Sequence, residues 1–188
     1  MKILTIIGLA IVALILLTVA FLGIGSQDWI SYTATGSETL SPAGTSLGHA
    51  LVLYDPGLSG VARGAAVKVA DSLKQNGYIV TLAGVRSTAA TNASGYDVIV
   101  VGGPVYMGVP SNSVTSYLKT LTLPDEAKLG VFAIGSDQSY DSDVVSVGKG
   151  VTSLWNDSHP NIRQPVIKVF GQSNVDQKSG DFVSALLR

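Results

Sequence analysis

Tyr96-Asp97-Val98-Ile99-Val100-Val101-Gly102-Gly103-Pro104-Val105-Tyr106-Met107-Gly108-Val109-Pro110 is the stretch on which the fold turns. Asp97–Val101 is an apolar run without polar alternation. A strand of that kind has both faces covered, as in a parallel sheet flanked by helices. The run stops at two glycines and a proline, so a loop follows the strand directly.

Working outward, the same alternation repeats on both sides. Upstream, Ala50–Tyr54 reads as a strand closed by Asp55-Pro56-Gly57. Val61–Asn76 carries Ala62, Ala66, Val69, Ala70 and Leu73 at helical spacing, and Gly77 suits a helix stop. Tyr78–Ala83 is a second strand, and Gly84–Gly95 a polar connection. Downstream, a helix over Ser111–Leu121 ends before Pro124. Leu129–Ile134 is a strand, Asp143–Trp155 a helix weakened by Gly148 and Gly150, and Pro165–Phe170 a strand. Asp176–Arg188 is a closing helix. Five strands alternating with helices predict an α/β fold, a doubly wound five-stranded parallel sheet.

The amino-terminal part differs. No charged side chain occurs from Ile3 to Gln27. A bilayer core needs about 20 apolar residues in helical form, so residues 1–25 predict a single-pass transmembrane helix. The run exceeds the apolar part of a cleaved signal, and no Ala-x-Ala precedes the polar stretch. Lys2 lies before the helix and the first basic residue after it is Arg63. The expected location is therefore the membrane, with the amino terminus in the cytoplasm and the domain outside. Residues 26–48, rich in Ser, Thr, Gly and Pro, read as a flexible tether. Within it, Trp29 and Tyr32 suit a membrane interface, and Ile30–Ala34 is a candidate edge strand. Residues 49–188 form the domain.

Composition excludes several chemistries. With no cysteine, disulfides, thiolate metal sites and cysteine catalysis are ruled out. A net charge of −1 leaves no electrostatic footprint for nucleic acid. His159 lacks a nucleophile elbow beside it and reads as a surface-loop residue. Asn92-Ala93-Ser94 and Asn156-Asp157-Ser158 fit the glycosylation sequon in expected loops.

Ligands of open parallel sheets bind beyond the carboxyl ends of the strands, where strand order reverses. Three loops are candidates. The Asp55–Gly60 loop enters a helix, where free amides can hold a phosphate; equally, it makes a tight turn with no ligand. Gly102–Pro110 follows the strongest strand. Gly135–Asp143 is polar and acidic. Its Asp137, Asp141 and Asp143 suit a divalent cation or a solvated loop, and the spacing lacks the glycine and glutamate of a calcium loop.

Tyr96-Asp97 through Gly102, Pro104 and Tyr106 resembles the flavodoxin motif Tyr-Asp-x-x-x-x-Gly-x-Pro-x-Tyr. The resemblance spans residues 49–188 and implies a flavodoxin-like sheet of order 2-1-3-4-5. It further implies flavin mononucleotide (FMN) as cofactor and electron transfer with a redox partner protein. Pro104, Val105, Tyr106, Met107 and Gly108 would then lie along the flavin ring, with Ser136, Asp137 and Tyr140 from the third loop on its other side. Gly57, Leu58, Ser59, Gly60, Val61 and Ala62 would hold the phosphate. Of the family's hydroxyl-rich phosphate loop only Ser59-Gly60 is kept, with Val61 and Ala62 in place of hydroxyls. Catalysis would belong to the cofactor, and no catalytic side chain or metal ligand is expected. The rival reading is a cofactor-free binding or structural module of the same fold on the outer membrane face.

Overall fold

The computed structural model describes residues 2–25, 32–136, 140–160 and 162–188, with side chains described for all of these except 2–4, 20–25, 140 and 141. In chain order the elements are α1 (Lys2–Gly25), β1 (Ser37–Leu40), β2 (Gly48–Tyr54), α2 (Val61–Gln75), β3 (Tyr78–Gly84), β4 (Val98–Tyr106), β5 (Val109–Pro110), α3 (Asn112–Thr120), β6 (Lys128–Ile134), α4 (Tyr140–Ser158), β7 (Val166–Phe170) and α5 (Val175–Leu187). A short 3-10 turn, Thr88–Thr91, precedes β4.

Five strands pair in parallel in the order β3-β2-β4-β6-β7. That is the expected 2-1-3-4-5 order. The strand total is corrected from five to seven, because β1 pairs antiparallel with β3 and β5 antiparallel with β4.

Side chains of β2 alternate between two cores, as the period of two requires. Ala50 and Val52 join Val69 and Leu73 of α2 and Phe182 of α5. Leu51 and Leu53 join Val114 and Leu118 of α3 and Val151 and Trp155 of α4. Phe132 of β6 stacks on Phe170 of β7 at 5.6 Å between ring centroids. Gly102 makes room for it: a Cβ there would lie 2.2 Å from the Phe132 ring.

Two expectations are corrected. Part of the stretch read as a flexible tether belongs to the sheet. The edge strand is Ser37–Leu40 and not Ile30–Ala34, of which 30 and 31 lie outside the described residues. Its signal was weak because Ser-Glu-Thr-Leu is short and mostly exposed, and β3 supplies its hydrogen bonds. Second, α4 runs through Gly148, Gly150 and Asn156, so the second sequon sits in a helix and not in a loop. Burial of Val147, Val151 and Trp155 outweighs the poor helix propensity of two glycines.

The expected membrane-spanning segment is helical. A helix of 24 residues forms at α1. Its side chains are described only over 5–19, all exposed. Among the described residues no helix is long and apolar enough to cross a membrane.

Candidate functional site

β2 and β4 are neighbours, with Tyr54 opposite Gly102. The chain leaves β2 toward β3 on one side and reaches β4 on the other. The loops after these two strands therefore meet at the reversal point. The Asp55 amide donates to the Gly102 carbonyl at 2.8 Å, fastening them.

In the first loop Asp55 is 1% exposed. Its Oδ1 accepts the Gly57 amide at 3.0 Å. A Cβ on Gly103 would lie 3.0 Å from Asp55 Cβ and 3.1 Å from Ser111 Oγ. The carboxylate is thus turned into the protein, where it holds its own loop through Gly57 while the Asp55 Cβ packs against Gly103 of the next. Gly57 and Gly60 take positive φ, +61° and +72°, which a glycine adopts without steric penalty. The first helical bond of α2 runs from the Gly64 amide to the Gly60 carbonyl. The first helical amides before it lack intrahelical acceptors; that of Val61 donates to Ser59 Oγ at 3.4 Å.

Leu58, Ser59 and Gly60 are exposed, as is Arg63 one turn on. Val61 and Ala62 offer backbone alone. The Ala62 side chain is buried among the core residues of α2, so only its backbone can face the loop.

The second segment is a hairpin and not an irregular loop. β4 continues through Pro104, Val105 and Tyr106, then turns back at Met107-Gly108 into β5. Both turn residues have positive φ, +52° and +79°, the pattern of a two-residue type I′ turn. Tyr106 is half-buried in the strand, and Met107 stands fully exposed at the tip. Pro104 packs on Gly57, closing the gap between the two loops.

Between this hairpin and the start of α4 lies an open cleft of about 450 Å³, lined by Val105, Met107, Gly108, Ser136, Ser142, Asp143 and Ser146. Asp143 is nearly buried, and its carboxylate lies against Gly135, where a Cβ would meet Oδ2 at 2.5 Å. Ser142 and Ser146 were not expected in the site. Their i, i+4 spacing on one helix face would have shown them had α4 been started early enough. The expected contacts of Asp137 and Tyr140 lie outside the described residues.

Other singled-out residues fall elsewhere. His159 closes α4, with its ring 4.0 Å from the Trp155 ring and Nε2 2.7 Å from the Leu118 carbonyl oxygen. It is a packing residue and not a free surface histidine. A second cavity of about 450 Å³ opens beside Tyr117 and the 90–94 segment, far from the strand ends above. Among the described residues the Tyr117 hydroxyl has no hydrogen-bond partner, and burial, with Tyr96 nearby, pushes its pKa up to about 12. Among the described residues no cluster has the makeup of a metal site.

No family model matches the chain, and no curated protein does. Solved structures do. Oxidised flavodoxin 2 from Bacillus cereus is 17% identical over 74% of this chain and 97% of its own, with a TM-score of 0.53. A flavodoxin from Fusobacterium nucleatum bound to flavin mononucleotide is 9% identical over 75% and 98%, with a TM-score of 0.52. The Streptococcus pneumoniae TIGR4 flavodoxin is 18% identical over 73% and 97%, at 0.51. At such identities the likeness establishes a flavodoxin-like fold.

Proposed function

We propose that the domain binds flavin mononucleotide at the β2–β4 reversal point and carries electrons to a redox partner protein while α1 holds it at a membrane. The observation that carries this reading is the cleft between the Met107-Gly108 turn and α4, at the same carboxyl end of the sheet as the start of α2. Its volume of about 450 Å³ falls among small-molecule sites. The first-turn amides of α2 that follow Val61, with Arg63 exposed beside them, suit a phosphate. Asp55 is turned inward and does not face that position.

The residues present therefore fit the cofactor, which supplies reversible electron acceptance when bound. The chain supplies the surroundings. Backbone groups of Val105–Gly108 orient the ring edge. Met107, exposed at the hairpin tip, borders the cleft and covers part of it. Asp143 at the cleft disfavours added negative charge, which lowers the reduction potential.

The membrane part of the reading rests on α1. Its described side chains, 5–19, are apolar apart from Thr5 and Thr18, and all are exposed. A helix without a polar face needs an apolar medium, and residues 3–27 carry no charge. The Lys2 side is cytoplasmic and the domain lies outside.

A cofactor-free module is the second reading. It is favoured by the phosphate loop, where Ser59 is the sole hydroxyl and the Gly57 amide is already taken by Asp55. The full chain in detergent, titrated against FMN and against riboflavin, decides between them by quenching of flavin fluorescence. Quenching by protein that is stronger for FMN than for riboflavin supports the phosphate seat. No quenching of either flavin removes the electron-carrier reading and leaves the module.

A further inference from the structure

We propose that the carboxyl-end surface carrying Leu58, Met107 and Val109 rests on the phospholipid bilayer that α1 enters, so that the end of the sheet holding the cleft faces the membrane. This rests on the reading of α1 as an anchor; the rest of the argument is geometric.

The chain joins the domain at the carboxyl end of the sheet. β1 runs antiparallel to β3, entering with Ser37 opposite Ala83 and leaving with Leu40 opposite Val80. Ahead of β1 the segment is already fastened. The Gly84 amide donates to the Gly36 carbonyl at 2.9 Å, and the Arg86 amide to the Ala34 carbonyl at 3.0 Å. Ala34 is buried, 4% exposed, and leaves no room for a side chain on Gly84. The Arg86 guanidinium lies 4.8 Å from the Tyr32 ring centroid, a favourable cation–π distance.

The stretch between α1 and Tyr32 is residues 26–31. A chain of that length spans at most about 20 Å when fully extended. β1 stands two positions from β2 in the sheet, so the first loop lies about 10 Å sideways from the point of entry. The amino end of the sheet is farther by the length of β2, about 23 Å. A leash of that length fixed at the carboxyl end keeps that end within reach of the bilayer and favours it over the amino end.

The surface there suits a lipid interface. Leu58 is 72% exposed, Met107 fully exposed and Val109 56% exposed. These three apolar side chains come from two adjacent loops. Arg63 and Arg86, exposed at the same end, suit anionic headgroups. Apolar tips beside basic residues are the makeup of an interfacial contact.

The absence of native cysteine makes the test clean. Single-cysteine full-length chains (Leu58→Cys, Met107→Cys and, at the amino end of the sheet, Asp125→Cys) are labelled with a nitrobenzoxadiazole dye. They are reconstituted in vesicles of phosphatidylcholine and phosphatidylglycerol containing nitroxide-labelled lipid. The expected result is quenching several-fold stronger at 58 and 107 than at 125. Equal quenching at all three sites, in chains that float with the vesicles, overturns the inference and leaves the anchor standing. Failure to float overturns the anchor reading, and this inference with it. Protection of 58 and 107 from aqueous iodide without quenching by lipid nitroxide means that protein covers this surface, which also overturns it.

Discussion

A Cβ placed on Gly57 would lie 2.9 Å from Cγ of Pro104. The loops after the first and second strands of the reversal point are packed together at this pair. Gly57 also holds φ at +61°, so its lack of a side chain serves two ends at once. Gly57→Ala is expected to destabilise the domain by about 1–3 kcal/mol, from left-handed backbone strain and overlap with the proline. Urea denaturation measures the loss. Flavin affinity should fall with it, because the loop must shift.

Asp55 holds its own loop from inside. Removing its carboxylate in Asp55→Ala leaves the Gly57 amide without its acceptor and is expected to destabilise by about 1–3 kcal/mol. Asp55→Asn keeps an oxygen at that position and should lose less. An Asn variant as unstable as the Ala variant would show that the charge matters and not the hydrogen bond to Gly57.

Met107 has a positive φ of +52° with a fully exposed side chain. Asparagine tolerates this backbone better, and a type I′ turn favours Asn-Gly. Met107→Asn is expected to raise stability by up to about 1 kcal/mol. It should also weaken flavin binding, since the rim of the cleft loses its apolar tip. Thermal unfolding and flavin titration on the same preparation separate the two effects.

The Tyr117 hydroxyl is buried and has no partner among the described residues, and its pKa is raised to about 12. The folded state therefore holds this proton at a pH where the unfolded chain, near 10, has released it. Stability is unaffected below pH 10 and falls as the pH rises from about 10 toward 12. Tyr117→Phe removes the ionisation, so its pH profile should be flatter in that window. It should also be no less stable at neutral pH, because no hydrogen bond is lost. Paired denaturation curves at pH 8 and about pH 11 check both points.

Much of the scaffold was legible in the chain. Val98–Val101 and Leu51–Leu53 are apolar on both strand faces, and Val69 and Leu73 repeat at helical spacing, so each element declared itself locally. The site was legible only as three loops in the right place. Reading Val105 and Tyr106 as loop overlooked that β4 carries on past its glycines, because Gly102 and Gly103 resemble a stop. They are instead spaces for Phe132 and for Asp55 with Ser111.

The sequence by itself determined the order of elements, the parallel core and the end of the sheet where ligands belong. All of these follow from short-range periodicity and from the handedness of crossovers. Only the tertiary structure decided that Ser37–Leu40 closes the sheet edge and that Asp55 points inward. It alone placed Ser142, Asp143 and Ser146 across a cleft from Met107. Each of these depends on a partner far away in the chain, and hydrogen-bond pairing and burial are set by that partner and not by neighbouring residues.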